Sequence, residues 1–275
     1  MAFGKLYEQL KRDKQGKYRG NAPQTGEIEP DSSRRYEFGD RFDLDIPKTI
    51  LSAISNRSDV NGPLDLSPDE FYVREREQLI TSTTVVLLDL SGSMSQDGRF
   101  EAAKRVALAL EHYIRTKFSK DKLHIVGFST EPRELKGREL SLATWDVHEP
   151  YTNLQGGLRL AMKLVKKSGT RNNRVIVITD GQPTAYYKGR QLNVELPSNL
   201  FGISPNTRKA TLREVRNVTA QGMKLETFML NDNPALVEFT REISKINGSR
   251  AVICVPQELG KLVFVEEIRR RGGRI

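Results

Sequence analysis

The chain has 275 residues, of which 37% are hydrophobic and 29% charged, and its net charge is +9. This length and composition predict a globular protein large enough for one domain with an extension. No apolar run reaches the roughly eighteen residues of a membrane-spanning helix, and residues 1–20 lack the apolar segment of a signal peptide, so we expect neither a membrane span nor export. The single cysteine, Cys254, excludes an internal disulfide and lies in an apolar run, which predicts a buried structural thiol in a reducing, cytoplasmic setting.

The positive charge belongs to residues 80–275. Residues 1–79 carry 13 Lys and Arg against 15 Asp and Glu, whereas the remainder carries 31 against 20. An excess of this sign fits an acidic protein partner, a nucleic acid or an anionic surface, and it also fits a well-solvated periphery. The arginine cluster at residues 269–274 suits the C-terminal end of a helix and needs no ligand to explain it.

Residues 1–79 form a predicted N-terminal extension. Residues 16–40 are polar and rich in glycine, proline and serine, which predicts a mobile or surface-wrapped segment. Residues 46–56 carry apolar side chains at helical spacing and predict a short amphipathic helix that docks on the following domain. Residues 71–78 alternate loosely between polar and apolar side chains, as an edge strand does.

Residues 80–275 alternate between apolar strands and amphipathic helices and form the predicted main domain. A hairpin at the sheet edge is predicted around Lys136 and Gly137. Continuously apolar strands, each followed by a helix, indicate a mainly parallel sheet with helices on both faces, so the predicted fold class is doubly wound α/β. The predicted strands are 83–90, 123–129, 173–181, 223–230 and 250–255, and the predicted helices are 98–118, 154–167, 207–222, 234–248 and 257–271.

The first predicted strand of this domain ends in a group of oxygen-bearing side chains. Asp89 ends the strand, and Ser91 and Ser93 lie on the loop that leaves it, where Gly92 is expected to relieve the steric cost of the turn. Ligands of doubly wound folds gather at this carboxyl edge of the sheet. One carboxylate and two hydroxyls that converge on one point suit a hard cation such as Mg²⁺, which prefers oxygen ligands.

Two later residues extend the same group. Asp180 ends a neighbouring strand, and Thr152 precedes the helix that begins at residue 154. Each of these residue types also has an ordinary structural role, because serine and threonine commonly cap helices and an aspartate before a glycine commonly forms a turn. For each residue taken singly, both interpretations stay open.

The combined pattern resembles the metal-ion-dependent adhesion site of the von Willebrand factor A (vWA) domain family. The matching motifs are D-x-S-x-S, T-x-L-x-x-G-L and T-D-G, and the matching residues are Asp89, Ser91, Ser93, Thr152 and Asp180. The resemblance covers residues 80–275 and implies a module that binds proteins. It also implies that these five residues hold Mg²⁺ or Mn²⁺, directly or through water, and that an Asp or Glu of a partner completes the coordination shell.

The stretch at residues 89–104, DLSGSMSQDGRFEAAK, looks most like the intracellular bacterial branch of this family. That branch includes the A domains of magnesium-chelatase D-type subunits and of CoxE-like proteins, which work with MoxR-type AAA+ ATPases. The resemblance implies an accessory subunit whose partner is such an ATPase. The sequence contains no G-x-x-x-x-G-K-[ST] motif, so we expect the ATPase to be a separate chain.

Residues 181–207 form a long insertion between a strand and a helix. Long ordered loops are usually functional or mobile. The insertion contains aromatic and cationic residues of the types that anchor interfaces, and we predict that they set partner selectivity. These residues are Tyr186, Tyr187, Lys188 and Arg190. The alternative is a surface flap that covers the edge of the sheet.

Enzymatic and nucleic-acid functions match the sequence less well. A phosphatase of the haloacid dehalogenase kind needs a second acid where Ser91 stands, and a serine hydrolase needs a G-x-S-x-G pattern that Ser93 lacks. The histidines His112, His124 and His148 do not suggest a catalytic triad, so we expect a non-catalytic binding subunit. RNA or other nucleic-acid binding through the basic surface is the alternative function, although no RNP-type strand, KH loop or zinc-ligand spacing occurs.

Overall fold

The computed structural model describes residues 33–38, 40, 43–55, 66, 68–74, 81–145, 148–196 and 202–271. These residues belong to two compact units, with the boundary between Ile80 and Thr81. Most of the predicted mobile segment, residues 16–40, lies outside the described residues. Among the helices that are described, none is both long and apolar enough to cross a membrane.

The described residues of the first unit include a two-stranded sheet, an α-helix and a short 3-10 helix at Pro68–Glu70. Strand β1 (Ser33–Arg35) pairs antiparallel with β2 (Tyr72–Arg74), and helix α1 spans Ile46–Ser55. The Tyr72 amide donates a hydrogen bond of 3.0 Å to the Thr49 hydroxyl and so joins β2 to α1. Both elements that the sequence predicts in this region are present, and the docking of α1 on the second unit stays a prediction.

The second unit is built around a six-stranded sheet. Its strands are β3 (Ser82–Asp89), β4 (Lys122–Phe128), β5 (Arg133–Glu134), β6 (Asn172–Thr179), β9 (Lys224–Met229) and β10 (Ala251–Ile253), and a separate hairpin consists of β7 (Ala185–Lys188) and β8 (Gln191–Val194). The helices are α2 (Arg99–Lys117), α3 (Arg138–Leu142), α4 (Leu154–Ser168), α5 (Pro205–Ala220), α6 (Pro234–Asn247) and α7 (Pro256–Arg270). The strand order is β10-β9-β6-β3-β4-β5, and every neighbouring pair is parallel except β4 with β5.

Helices cover both faces of this sheet because its strands are apolar on both faces. Every residue of β3 is buried, and alternate side chains point to opposite faces. Val86 and Leu88 pack in one core with residues of α2 and α7, whereas Val85 and Leu87 pack in the other with residues of α4, α5 and α6. This arrangement confirms the predicted doubly wound α/β fold.

The predicted hairpin around Lys136 and Gly137 is wrong in its second half. β5 pairs with β4 as an edge strand, but the chain after Gly137 forms the short helix α3 and does not return along the sheet. Leu140 in the middle of α3 is fully buried in the core beside α2. Burial of this side chain favours the helix, because a strand at the open edge would leave it exposed.

Cys254 follows β10 and is buried, with 9% of its surface exposed. Burial raises the pKa of its thiol to about 11, so the thiol stays protonated near neutral pH. A buried, protonated thiol is a poor nucleophile, as expected for the structural role that the sequence predicts.

Candidate metal centre

Two neighbouring strands bring the predicted aspartates to the same edge of the sheet. β3 and β6 are adjacent and parallel, so their carboxyl ends lie together. Asp89 ends β3 and is fully buried, and Asp180 directly follows β6 with 2% of its surface exposed. The Gly92 amide donates a hydrogen bond of 3.2 Å to the Pro150 carbonyl, which joins the loop after β3 to the loop that carries Thr152.

The loop after Asp89 is ordered by its own hydrogen bonds. Asp89 Oδ1 accepts from the Ser91 amide at 2.9 Å, and the hydroxyl oxygens of Ser91 and Ser93 lie 3.2 Å apart. Ser93 also lies close enough to Asp180 to oppose the rise in the pKa of that carboxyl. Hydrogen bonds therefore link Asp89, Ser91 and Ser93, Asp180 lies beside them, and the fifth predicted ligand, Thr152, lies on the adjoining loop.

Thr179, which the sequence analysis did not single out, orients Asp89 from the neighbouring strand. Its hydroxyl donates to Asp89 Oδ2, and the Gly181 amide donates to the Thr179 hydroxyl at 3.0 Å. The signal for this role is the threonine of the T-D-G motif, which is the last residue of β6. Thr179 and Ser91 together fix both oxygens of the Asp89 carboxylate.

The site places two carboxylates side by side in an almost fully buried position. Burial and the charge of Asp180 raise the pKa of Asp89 to about 7. Burial also raises the pKa of Asp180, against the opposing effects of Ser93 and Arg99. Asp180 Oδ1 is buried and has no hydrogen-bond partner. A bound cation relieves this unfavourable arrangement, because it compensates both carboxylates and gives Oδ1 a partner.

The ordinary capping roles of the hydroxyl side chains are not used here. Asn153, not Thr152, caps α4, because Asn153 Oδ1 accepts from the Gly156 amide at 2.8 Å. Ser91 occupies the capping position of the short helical segment Gly92–Gly98, but its side chain makes no capping hydrogen bond. The Ser91 and Thr152 hydroxyls are therefore free of this role.

Hydroxyl oxygens make up most of the candidate ligand set. Within the described part of the chain, no group of three His, Cys, Asp or Glu side chains could hold a metal ion. A cation at this edge would therefore be held by two carboxylates and three neutral hydroxyls. That donor set fits Mg²⁺ or Mn²⁺ and lacks the nitrogen and sulfur ligands that zinc prefers.

The conformationally required glycine of the site is Gly181 and not Gly92. Gly181 has φ = +94°, and a Cβ there would lie 2.5 Å from Met229 Sδ. Gly92 is not among the residues with positive φ, and its added Cβ would make an ordinary contact of 3.5 Å with Pro150. The expectation that Gly92 relieves a steric cost is therefore wrong, and a small side chain fits at that position.

Arg99 places a positive charge beside the candidate ligands. Its Nη1 lies 3.4 Å from Asp180 Oδ2 and its Nη2 lies 3.1 Å from Asp97 Oδ2. In the sequence analysis this residue is only part of the stretch at residues 89–104 and has no role of its own. Only the folded chain shows that its guanidinium reaches Asp180, because the two residues are 81 positions apart.

Replacing Arg99 with methionine should tighten divalent-metal binding by about three- to tenfold. The guanidinium competes with a metal for Asp180 and repels it, and methionine removes the charge while keeping much of the side-chain volume. Titration of Mn²⁺ followed by electron paramagnetic resonance measures the change, and Arg99→Lys serves as the charge-retaining control. Weaker binding by Arg99→Met would show instead that Arg99 is needed to orient Asp180.

The predicted partner-selectivity residues lie on the hairpin of β7 and β8. Tyr186 is buried, and its hydroxyl donates to Glu195 Oε1 at 2.7 Å. The Tyr187 amide donates to Gln155 Oε1 at 2.7 Å, so the hairpin packs beside the first turn of α4. Lys188 and Arg190 are exposed. The structure thus leaves the part of this surface from Tyr187 onward accessible, and its role in selectivity stays a prediction.

The fold, with its parallel sheet between two helical layers, is that of a vWA domain. Residues 82–268 match the family model described as "Rv0959-like protein, vWA domain", and residues 29–76 match the model described as "Rv0959-like protein, third domain". The chain therefore belongs to the Rv0959-like vWA family, which confirms the resemblance at the level of the domain family. Membership of this family indicates a protein-interaction module.

The relatives of this chain include two mycobacterial proteins. The uncharacterized protein Rv0959 of Mycobacterium tuberculosis (strain H37Rv) and the uncharacterized protein Mb0984 of Mycobacterium bovis are each 28% identical over 243 residues. These alignments cover 87% of this chain but 36% of each relative's length. Among solved structures, the D319A mutant of the PilB minor pilin from Streptococcus sanguinis is similar with a TM-score of 0.54 and 14% identity, over 74% of this chain and 65% of that chain. At that identity the likeness shows the fold alone.

Proposed function

We propose that this chain is a non-catalytic binding subunit that recognises a partner protein through a divalent metal ion. The metal, Mg²⁺ or Mn²⁺, would be held by Asp89, Ser91, Ser93, Thr152 and Asp180. The observation that carries the proposal is the buried Asp180 Oδ1, which has no hydrogen-bond partner and lies beside a second buried carboxylate. A bound cation explains two buried carboxylates with an unpartnered oxygen better than a role in a turn or at a helix cap does.

The donor set also favours a partner that supplies an acid. The charges of the two carboxylates and a divalent cation sum to zero, but the other three ligands are neutral hydroxyls, so the cation can still attract a further anion. A carboxylate from a partner Asp or Glu would therefore gain a strong, charge-assisted contact when it completes the shell. The interface would depend on the metal, because the same partner carboxylate is repelled by the two aspartates when the metal is removed.

The proposed partner is a MoxR-type AAA+ ATPase. The support is the resemblance of residues 89–104 to the intracellular bacterial branch of the family. His124 contacts Glu134 at 2.7 Å and Ser168 at 3.1 Å through its two ring nitrogens, so it is held by the edge of the sheet and by α4, and the proposal assigns it a structural role.

Metal binding is tested first, with Mn²⁺ as the probe. The wild-type chain should bind one Mn²⁺ in a titration followed by electron paramagnetic resonance, and Mg²⁺ should displace it. Asp89→Asn should abolish binding. Asp232→Asn is the matched control, because Asp232 is an exposed aspartate shortly after the end of β9 at the same edge of the sheet. Absence of binding by the wild type, or equal binding by Asp89→Asn, would overturn the proposed centre.

Partner binding is tested by retention of proteins from a bacterial extract, with Mg²⁺ or with EDTA. An AAA+ ATPase that is retained by the wild type and by Asp232→Asn only with Mg²⁺, and not by Asp89→Asn, supports the proposal. Equal retention with Mg²⁺ and with EDTA, and by the wild type and Asp89→Asn, contradicts the proposal. If nucleic acid is retained, and its retention is lost with added salt but unaffected by EDTA, the alternative function, nucleic-acid binding through the basic surface, would be favoured.

A further inference from the structure

The segment that follows Asp180 returns to hold the loop of another candidate ligand. The Thr184 amide donates a hydrogen bond of 2.9 Å to the Thr152 carbonyl, and the Ala185 amide donates one of 3.1 Å to the same oxygen. In the opposite direction, the Thr152 amide donates to Thr184 Oγ1 at 3.0 Å. Both backbone polar groups of Thr152 are therefore satisfied by the start of β7.

This contact supplies hydrogen-bond partners that the Thr152 backbone would otherwise lack. The residue lies before α4, so its amide and carbonyl are outside the helix, and it is 4% exposed, so water cannot replace the missing partners. A buried amide without an acceptor is destabilising, and the loop would move to solvate it. The Thr184 hydroxyl is the acceptor that keeps the Thr152 backbone in place.

Thr184 is itself fixed at the base of the hairpin. The Glu195 amide donates to the Thr184 carbonyl at 2.8 Å and closes the hairpin over it. The Glu195 carboxylate accepts hydrogen bonds from Tyr186 at 2.7 Å, Ser204 at 2.6 Å and Asn206 at 3.0 Å. Since Ser204 also caps α5, the hairpin base is anchored to the start of that helix.

We infer that Thr184 is a positioning residue of the metal centre, which holds Thr152 in place so that its hydroxyl can serve as a ligand. The inference rests on the proposed function. One loop would then supply the ligand Asp180 and position the ligand Thr152, which gives the insertion a role that its length alone did not suggest. A metal affinity that depends on Thr184 follows from this arrangement, because ligands that are not held in position bind more weakly.

The test measures the Mn²⁺ affinity of the full chain by electron paramagnetic resonance and the unfolding temperature with EDTA. Thr184→Val removes the acceptor and keeps the shape of the side chain, and we expect it to weaken Mn²⁺ binding about tenfold. Thr184→Ser keeps the hydroxyl and should bind within about twofold of the wild type. Thr184→Ala, which also lacks the acceptor, replaces Thr184→Val if the latter does not fold.

A double-variant cycle separates positioning from general damage. If Thr184 acts through Thr152, then Thr184→Val should have almost no further effect on Mn²⁺ affinity in a Thr152→Ala background. Glu195→Gln is the control for the hairpin, because it weakens the anchor but keeps the Thr184 hydroxyl. It should lower the unfolding temperature and weaken Mn²⁺ binding much less than Thr184→Val does, because the Thr152 amide keeps its acceptor.

The outcomes distinguish this inference from the proposed function. A wild type that binds no Mn²⁺ would overturn the metal centre itself. A wild type that binds, together with a weakened Thr152→Ala and an unchanged Thr184→Val, would overturn only the role of Thr184. Equal losses from Thr184→Val with and without the Thr152 hydroxyl would do the same, because they would show that Thr184 acts on the fold in general.

Discussion

Replacing Asp89 with asparagine should abolish Mg²⁺ binding and stabilise the metal-free protein near pH 8. Asp89 is fully buried, and burial together with Asp180 raises its pKa to about 7, well above the ordinary value of 3.8. Because the pKa is raised in the folded state, the folded chain holds a proton on Asp89 that the unfolded chain has already lost. The contribution of Asp89 to the free energy of unfolding is therefore complete below about pH 4 and disappears as the pH rises through 7. Asparagine has no charge to bury, and we expect a gain on the order of 4 kcal/mol at pH 8 that vanishes near pH 4.

The measurement is the unfolding temperature of both proteins between pH 5 and pH 8, with EDTA and with Mg²⁺. Mg²⁺ should raise the unfolding temperature of the wild type most at high pH, because the metal favours the ionised carboxylates. It should have no effect on Asp89→Asn. Asp232→Asn controls for the loss of an aspartate at the same edge and should follow the wild type. A wild-type profile that runs parallel to that of Asp89→Asn would contradict the electrostatic account.

Replacing Glu267 with alanine should destabilise the second unit by about 3–5 kcal/mol. Glu267 on α7 is fully buried and forms ion pairs with Arg174, Arg270 and Arg271. Arg174 on β6 is 3% exposed, and once Glu267 is removed it keeps one carboxylate partner within the described residues, Glu226 at 3.3 Å, and a hydrogen bond of 3.2 Å to the neutral Thr84 hydroxyl. Burial and the charge of Arg270 lower the pKa of Arg174 to about 9, against the opposing charge of Glu226, so the buried guanidinium is already in an unfavourable environment before Glu267 is removed.

Chemical denaturation measures this loss, and Glu266→Ala is its matched control. Glu266 precedes Glu267 on α7, but its partners Arg250 and Arg269 are largely exposed, so we expect a loss below about 1 kcal/mol. The double variant Arg174→Met with Glu267→Leu should recover much of the stability, since it removes both buried charges. Mn²⁺ affinity should stay unchanged, because Arg174 lies near the start of β6 and the metal centre lies at its end. Equal losses from both alanine variants would contradict the buried-pair argument.

The C-terminal arginines show how a local interpretation of sequence can be incomplete. Their position at the end of α7 suits the helix macrodipole, and nothing in the sequence near them requires a further partner. In the folded chain Arg271 pairs with Asp121 at 2.9 Å, and its guanidinium lies 3.4 Å from the centre of the Phe118 ring. These partners lie about 150 positions earlier in the chain, and sequence periodicity carries no information on contacts of that range.

The fold class and the positions of both aspartates were predictable from local patterns. A strand such as β3, apolar on both faces, can only lie inside a sheet that helices cover on both sides. Because β3 and β6 are parallel, their carboxyl ends lie at the same edge of the sheet, and Asp89 and Asp180 therefore lie there together. The candidate ligand set followed from this geometry and from the resemblance of three short motifs to the metal-ion-dependent adhesion site.

Long-range hydrogen bonds settled what those patterns left open. Whether Thr152 caps α4 depended on Asn153, which takes that role, and the backbone of Thr152 depended on Thr184 from the hairpin. The sequence analysis treated the insertion as a possible partner surface or flap and did not identify the local hairpin of β7 and β8. The contacts of that hairpin with Thr152 and Gln155, each 32 positions away, arise only in the folded chain. Periodic burial is a property of neighbouring residues and can be recognised in a sequence, whereas the partner of a polar side chain is chosen by the three-dimensional packing around it.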